Sequence, residues 1–383
     1  MVKITVHDKD RVFVEQVGAP LSLTVTPREF PLIGTAVMVV SLSSPAVEAL
    51  RAPSARVVFQ RDGESKPDLS GFVDEATVDS EAGTLEVMVL GDEQLLYRIL
   101  GWQVPTAAIT NQGTAEYGNY AGAAETIVKN VVRANGVTRL AIPGLVVAPD
   151  QGRGSVVPGG ASFRMHPLPD RLFPGVTMAG IGLSLVQVGT DLVFDVYEPR
   201  VYPITLSVEG RTVKRVRHTR RRPTMSRVVI GGPGEAKLRR YRALTDATRE
   251  AEWGFCGEGF RDARDAKDDS EPENVAATNA TMDARGWETL SESGRIDGLS
   301  ITLAESTVFT YGQDGILVGD LVPVKVAEGV VITDTVKEAA MEWVAPKYVR
   351  VTPSIGEQSD PDSREQKQVA ALKESQRREE RSK

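Results

Sequence analysis

Over most of its length the chain alternates between apolar and polar residues with a period of two, which is typical of β-strands with one buried face. In the first 90 residues this alternation is clearest over 2–6 and 21–25. It returns over 183–197, where two alternating runs flank Gly189-Thr190-Asp191 and predict a hairpin with a three-residue loop. Further strand-like runs continue to about residue 352. The pattern therefore predicts two regions that are mainly β-structure.

Between about residues 92 and 185 the spacing of apolar residues changes to that of helices. One predicted helix has its apolar face at Ala124, Ile127, Val128, Val131 and Val132. Asn135-Gly136 predicts its end, because both residues tolerate the left-handed backbone conformation. The Gly- and Pro-rich stretch 143–160 predicts a long exposed loop, and another helix is predicted over 277–290.

Composition and charge narrow the class of protein. The chain has 383 residues, 41% of them hydrophobic and 25% charged, which is usual for a folded protein of two or three domains. The net charge of −7 argues against a dedicated nucleic-acid-binding protein. No apolar run approaches the ~18 residues of a membrane span. The N-terminal residues alternate instead of forming the apolar stretch of a signal peptide, so we expect synthesis in the cytoplasm.

The residues that most often carry catalysis or metal binding are scarce. The chain has three histidines, His7, His166 and His218, and a single cysteine, Cys256, which follows Phe255 and is expected to be a small buried residue. The acidic run between 262 and 273 lacks the spacing and the glycine of a calcium loop. The glycines at 231–234 lack the Lys-Ser/Thr of a phosphate-binding loop. We therefore predict no catalytic, cofactor-binding or metal-binding residues.

Two charged segments are candidates for contact with partners. The first is a basic run that contains Arg211, Lys214, Arg215, Arg217, Arg220, Arg221 and Arg222. It fits a solvated hairpin, a protein interface or contact with nucleic-acid phosphates, and because no aromatic residues are interleaved it does not predict single-strand binding. The second is the tail 357–383, which contains seven basic and seven acidic residues and predicts a solvated segment or a lone helix.

The order of several short segments resembles the minor tail proteins that form the baseplate hub of long-tailed bacteriophages, as in siphophages of actinobacteria. The most specific part is Gly319-Asp320 before one strand, a second strand, and then Pro353-Ser354-Ile355-Gly356. The other segments that carry the resemblance are 44–50, 71–73, 89–96, 124–135, 193–196, 227–232, 311–315, 318–324 and 331–336. Together the resemblance extends over about 1–356.

This resemblance implies an α+β, mostly β fold with two β-barrel-like domains of the tail-tube type. The expected divisions are an N-terminal barrel-like domain at 1–100, a helix- and loop-rich insertion at 101–182, a second barrel-like domain with an inserted helix at 183–356, and the charged tail at 357–383. The resemblance also implies a homotrimer, in which two barrels per chain give six around a ring. The two period-two regions on either side of a helical middle fit this expectation.

The expected function is that of a structural protein at the virion tail tip. Its expected partners are copies of itself, the distal tail protein ring, the tape measure protein and other tail-tip or fibre proteins, with nucleic acid passing at most transiently through a lumen. No cofactor is expected. Two alternatives remain open: a tail-associated cell-wall hydrolase, which needs a paired acid or a metal-bound histidine, and a carbohydrate-binding module for receptor recognition, which needs exposed aromatic residues.

Overall fold

Strands predominate in the computed structural model, which describes residues 2–115, 117–157, 160–210, 212–266, 274–293, 296–303, 311–312, 315–344 and 348–356. The N-terminal region contains most of one large sheet. Its elements are β1 (Val2–His7), β2 (Phe13–Val17), β3 (Ser22–Thr26), β4 (Thr35–Ser41), α1 (Val47–Arg51), β5 (Arg56–Arg61), β6 (Leu69–Asp79) and β7 (Thr84–Gly91). Alternating burial along β4 and β7 confirms the period-two interpretation of this region.

The middle region is a mixture of helices and short strands. Its elements are α2 (Gln94–Tyr97), β8 (Leu100–Gly101), β9 (Gly118–Tyr120), α3 (Ala124–Val132), β10 (Leu145–Val147), β11 (Ala161–Phe163), β12 (His166–Pro167), α4 (Leu168–Ala179), β13 (Gly182–Val188) and β14 (Asp191–Tyr197). The predicted hairpin is β13–β14. Because Val188 pairs with Asp191, its loop has two residues rather than the predicted three.

The C-terminal region returns to strands and contains one long helix. Its elements are β15 (Val213–Arg221), β16 (Arg227–Gly231), β17 (Tyr241–Thr245), α5 (Ala247–Trp253), β18 (Glu258–Asp262), α6 (Val275–Glu292), β19 (Ile296–Leu303), β20 (Leu321–Ala327), β21 (Val330–Val344) and β22 (Tyr348–Ile355). The tail 357–383 lies outside the described residues. None of the described helices is long and apolar enough to cross a membrane.

The large sheet joins the two ends of the chain. Its strand order is β2-β1-β5-β6-β7-β4-β3-β21, and both β20 and β22 pair with β21. Met341 of β21 pairs with Val25 of β3, so the C-terminal strands extend the N-terminal sheet. No ring of hydrogen-bonded strands closes within the described residues. The α+β, mostly β prediction is thus confirmed, and the two barrel-like domains stay a prediction.

The strand β21 contributes to two separate β cores. Its Met341 packs with Phe59, Met38 and other apolar residues of the N-terminal sheet. Its Val336 packs instead with Val322, Val324 and Ile355 in a second core. Because β21 has 15 residues, one strand is long enough to reach both.

The middle region has a core of its own, formed by α3, α4, β13 and β14. The helix α3 is confirmed, but Asn135-Gly136 does not end it, because a π-helix follows over Arg133–Arg139. Asn135 is buried and donates from Nδ2 to the Val131 carbonyl, while its Oδ1 accepts from the Trp102 amide. Since β13 and β14 share this core, the predicted boundary at 182/183 falls inside it, and the domain limits remain predictions.

A polar seam fixes the hairpin β13–β14 against the large sheet. The Ser70 hydroxyl accepts a hydrogen bond from the backbone N–H of Gln187 at 2.7 Å and donates one to the Asp92 carboxylate at 2.6 Å. Arg56 reaches both Asp92 and the Gln187 side chain. Ser70 and Asp92 are buried, so these hydrogen bonds satisfy groups that would otherwise be costly to desolvate.

A small subdomain, built from β16, β17, α5, β18 and α6, is inserted between β15 and β19. Its sheet has the order β17-β16-β18, and α6 covers one face of it. Because β16 and β18 are parallel, the chain must cross over between them. The crossover contains the helix α5, which ends at Trp253, and Gly254 follows in the left-handed conformation with φ 57°. The prediction of a strand at Trp253–Phe255 is therefore wrong.

Candidate partner-contact surface

The basic run lies on and just after β15, which pairs antiparallel with β19. Arg211 lies outside the described residues, as do the side chains of Lys214, Arg215, Arg217 and Arg221. The described side chains are those of Arg220 and Arg222. The predicted solvated hairpin is therefore a pair of strands whose connection, between residues 221 and 296, contains the whole small subdomain.

The two described arginines of this run face aromatic residues that are distant in sequence. The Arg220 guanidinium lies 4.7 Å from the ring centre of Trp253 and donates to Glu252 at 2.7 Å. The Arg222 guanidinium lies 5.1 Å from the ring centre of Phe255. This pairing could not be predicted from local sequence patterns, because the aromatic residues follow the arginines by about 30 positions. Arginine stacked on aromatic rings is typical of protein interfaces.

Cys256 follows these aromatic residues and is exposed, so the prediction of a buried thiol is wrong. The apolar neighbours that suggested burial, Trp253 and Phe255, are themselves only half-buried. The segment after α5 is thus a surface turn. Nearby, Arg227 donates to Glu250 at 2.7 Å and 3.0 Å, and this hydrogen bonding lowers the pKa of the Glu250 carboxyl to about 2.

The second exposed patch is the face of the small sheet that α6 does not cover. Side chains alternate between the faces of a strand, so Tyr241 of β17 and Phe260 of β18 point away from α6 and are 60% and 58% exposed. Arg239 lies over both rings, at 5.7 Å and 5.6 Å, and donates to Asp262 at 2.8 Å. Leu238 is 82% exposed beside them. We call Leu238, Arg239, Tyr241 and Phe260, together with Lys237 and Arg240, the aromatic-basic face.

A buried network of charges organises the loop after β10. Lys129 of α3 donates to the Pro149 carbonyl at 2.7 Å and lies 2.7 Å from Glu125 and 2.8 Å from Asp195. Arg153 donates to both oxygens of Glu125. Hydrogen bonding from Arg153, followed by that from Lys129, lowers the pKa of the Glu125 carboxyl to about 2. The stretch 143–160, predicted as an exposed loop, is thus tied to the middle core through these ion pairs.

An open cleft of about 110 Å³ separates α4 from α6. Its lining combines apolar residues of α3 and α4, such as Ile127 and Leu172, with charged side chains. In one of the charged pairs, Arg261 lies 3.7 Å from Glu288. The charged lining residues are Asp170, Arg171, Arg261, Arg285 and Glu288.

The remaining candidates for chemistry lie apart from one another. His166 accepts from the Arg164 amide at 3.0 Å beside α4, whereas His7 lies on β1 and His218 on β15. Of the acidic run, Asp262 pairs with Arg239 and Arg264, and residues 267–273 lie outside the described residues. Within the described ranges, no three His, Cys, Asp or Glu side chains are placed to hold a metal ion.

One carboxyl, that of Glu93, has an oxygen buried without a hydrogen-bond partner among the described residues. Glu93 is half-buried with its Oε2 shielded from solvent, and desolvation raises its pKa to about 8. The neighbouring charge of Asp92 raises the pKa further, so Glu93 holds its proton at neutral pH.

Comparison with known proteins gives one family and a set of similar folds. The family described as Siphovirus ReqiPepy6 Gp37-like protein matches residues 3–357. None of the curated proteins matches the chain in sequence. Among solved structures, the fold is similar to the 43 kDa tail protein of prophage MuSo2 from Shewanella oneidensis, with a TM-score of 0.55 and 15% identity, over 93% of this chain and 98% of that one.

Two further tail proteins have a similar fold. The tail protein from Neisseria meningitidis MC58 gives a TM-score of 0.54 at 14% identity, over 93% of this chain and 97% of that one. The prophage tail protein gp18 from Listeria monocytogenes EGD-e gives 0.54 at 12% identity, over 97% and 99%. At these identities the similarity shows the fold, and it extends over nearly the whole of each chain.

Proposed function

Because the chain belongs to the family of siphovirus ReqiPepy6 Gp37-like proteins, we propose that it is a structural component of the phage tail tip, a homotrimeric baseplate hub without catalytic activity. The observation that carries this proposal is the family match over residues 3–357, which includes nearly every described element. The fold shared with three tail proteins, two of them from prophages, over more than nine-tenths of the chain supports it.

The two β cores support the idea of two barrel-like modules in each chain. One core lies in the N-terminal sheet, the other lies among β20, β21, β22 and the segment before β15, and β21 connects them. Three chains that each contribute two such modules would present six similar units around an axis. A hub with this arrangement can match a sixfold ring on one side to threefold components on the other.

The proposed partners follow from this position in the tail. They are the distal tail protein ring, the end of the tape measure protein and the fibre or tip proteins, around a path through which DNA leaves the virion. The basic run at 211–222 and the tail 357–383 are proposed as partner contacts. The siphophage that encodes this chain is proposed to infect an actinobacterium.

Light scattering on the purified full-length chain tests the oligomeric state. A trimer has three times the chain mass of 41.4 kDa, whereas a species that stays at 41.4 kDa at every concentration contradicts the hub. Antibodies against the chain are expected to label the end of the tail distal to the capsid in electron micrographs. Lysis of host cell walls by the pure chain would instead support the hydrolase alternative.

A further inference from the structure

We propose that copies of this chain associate head to tail through two surfaces of opposite charge: the acidic tip of the β6–β7 hairpin of one copy and the aromatic-basic face of the next. This inference rests on the proposed homotrimer and names the contact that would form it. The two surfaces belong to different parts of the chain, and a contact between unlike surfaces can close into a ring.

The hairpin has a concentration of negative charge that its own chain does not neutralise. Residues 74–86 contain five acidic residues and no lysine or arginine. All five are exposed on the hairpin: Asp74, Glu75, Asp79, Glu81 and Glu86. None of these five forms an ion pair within the described part of the chain. Their carboxylates repel one another, so an approaching cationic surface would relieve an unfavourable interaction.

The hairpin also has a free backbone edge. The strand β5 pairs with β6 only from Leu69 to Phe72, so residues 74–79 have β7 on one side and no described strand on the other. The exposed apolar side chain of Met88 lies on the same face as Glu75 and Glu86, whereas that of Val78 is exposed on the opposite face. The tip therefore offers acidic groups, apolar area and unpaired backbone groups together, which is more than a solvated loop requires.

The aromatic-basic face has the complementary chemistry. Between residues 235 and 240 there are three cations, Lys237, Arg239 and Arg240, and one carboxylate, Glu235. Exposed Leu238, Tyr241 and Phe260 provide apolar area beside them. Arg239 is held over both rings by its hydrogen bonds to Asp262 and to the Gly231 and Gly232 carbonyls, so little side-chain entropy remains to be lost on binding. Rigid aromatic and arginine side chains are typical of binding hot spots.

Charge reversal in the full-length chain tests this contact. We expect Lys237→Glu with Arg240→Glu, and separately Glu81→Lys with Glu86→Lys, each to raise the dissociation constant of the trimer by about tenfold or more, because each places like charges in contact. Combining all four substitutions in one chain restores opposite charges and should restore the wild-type dissociation constant. Leu238→Glu tests the face without altering a buried group and should also weaken association.

Matched controls come from α1, where Glu48 and Arg51 are exposed. Glu48→Lys and Arg51→Glu should leave the dissociation constant unchanged, and circular dichroism should show that every variant is folded. Two results would each show that this contact is wrong, while the hub proposal stands. In one, the wild type forms a trimer whose dissociation constant the charge reversals leave unchanged. In the other, the combined variant fails to restore the wild-type value. A wild-type chain that is monomeric at every concentration overturns both.

Discussion

The N-terminal sheet and the small subdomain are stabilised in different ways. The sheet encloses a core of large apolar side chains, including the fully buried Phe59 and Met38. The small subdomain has a smaller core around Val228, Ile230 and Met282, and much of its surface is joined by ion pairs such as Arg242–Asp283. Burial of apolar area contributes more to stability than exposed ion pairs do. The comparison indicates that the N-terminal sheet, the scaffold of the molecule, is more stable than the small subdomain.

The largest effect is expected in the scaffold. Phe59→Ala removes a side chain with 0% exposure and should lower the free energy of unfolding by about 3–5 kcal/mol. Denaturant titration of the full-length chain, followed by far-UV circular dichroism, measures this loss. Phe13→Ala serves as the control, because Phe13 is 56% exposed on the edge strand β2. Equal losses for the two variants would contradict the scaffold assignment.

The second largest loss of stability is expected from disrupting the buried charge network around Lys129. Lys129→Met removes one of the two cations that Glu125 and Asp195 share, the other being Arg153, together with the donor to the Pro149 carbonyl, and should cost about 3 kcal/mol. Thermal unfolding should therefore shift well below that of the wild type. Lys9→Met is the matched control, because Lys9 forms an exposed ion pair with Asp10. A Lys129→Met variant that is as stable as the wild type would show that packing, and not the ion pairs, holds the loop after β10.

A smaller and local effect is expected in the subdomain. Met282→Ala opens a cavity beneath β16 and should destabilise the subdomain by about 2 kcal/mol. Hydrogen exchange should show loss of protection in β16, β17 and α6, while β4 and β7 of the scaffold keep theirs. Loss of protection throughout the chain would mean that the two regions unfold as one unit. That result would contradict the difference in stability between them.

The smallest effect concerns two carboxyls with similarly lowered pKa values. Glu125 and Glu250 both have pKa values near 2 against an ordinary value of 4.5, so the stability each contributes is present above about pH 4.5 and is lost as the pH falls toward 2. Glu125→Gln should remove a clear acid-dependent loss of stability. Glu250→Gln should change the pH profile much less, because solvent reaches and screens its partly exposed pair with Arg227. Similar changes for both variants would contradict this distinction.

Much of the fold could be predicted from the sequence wherever one periodicity dominates. The hairpin β13–β14, the helix α3 and the helix α6 follow directly from the spacing of apolar residues. The helix α4 was not anticipated, because Pro174 and Gly175 lie inside it and both disfavour helices. Its residues Leu172 and Val176 are buried in the middle core, and this tertiary packing overrides the local preference.

The candidate surface was less predictable. The basic run was evident in the sequence, but the aromatic residues that face Arg220 and Arg222 come from the far end of a crossover. The aromatic-basic face is exposed because α6 covers the other side of the small sheet. Which side α6 covers is determined by tertiary packing and not by the local spacing of apolar residues. Period-two alternation identifies two faces of a strand without saying which one stays open to solvent.

The way the chain enters and leaves the small subdomain has a practical consequence. Arg221 on the outgoing strand β15 pairs with Ile296 on the returning strand β19, so both junctions lie side by side. A short turn could therefore replace everything in between without pulling those two strands apart. The same junction would accept a foreign module whose two ends lie equally close together, such as a fluorescent tag.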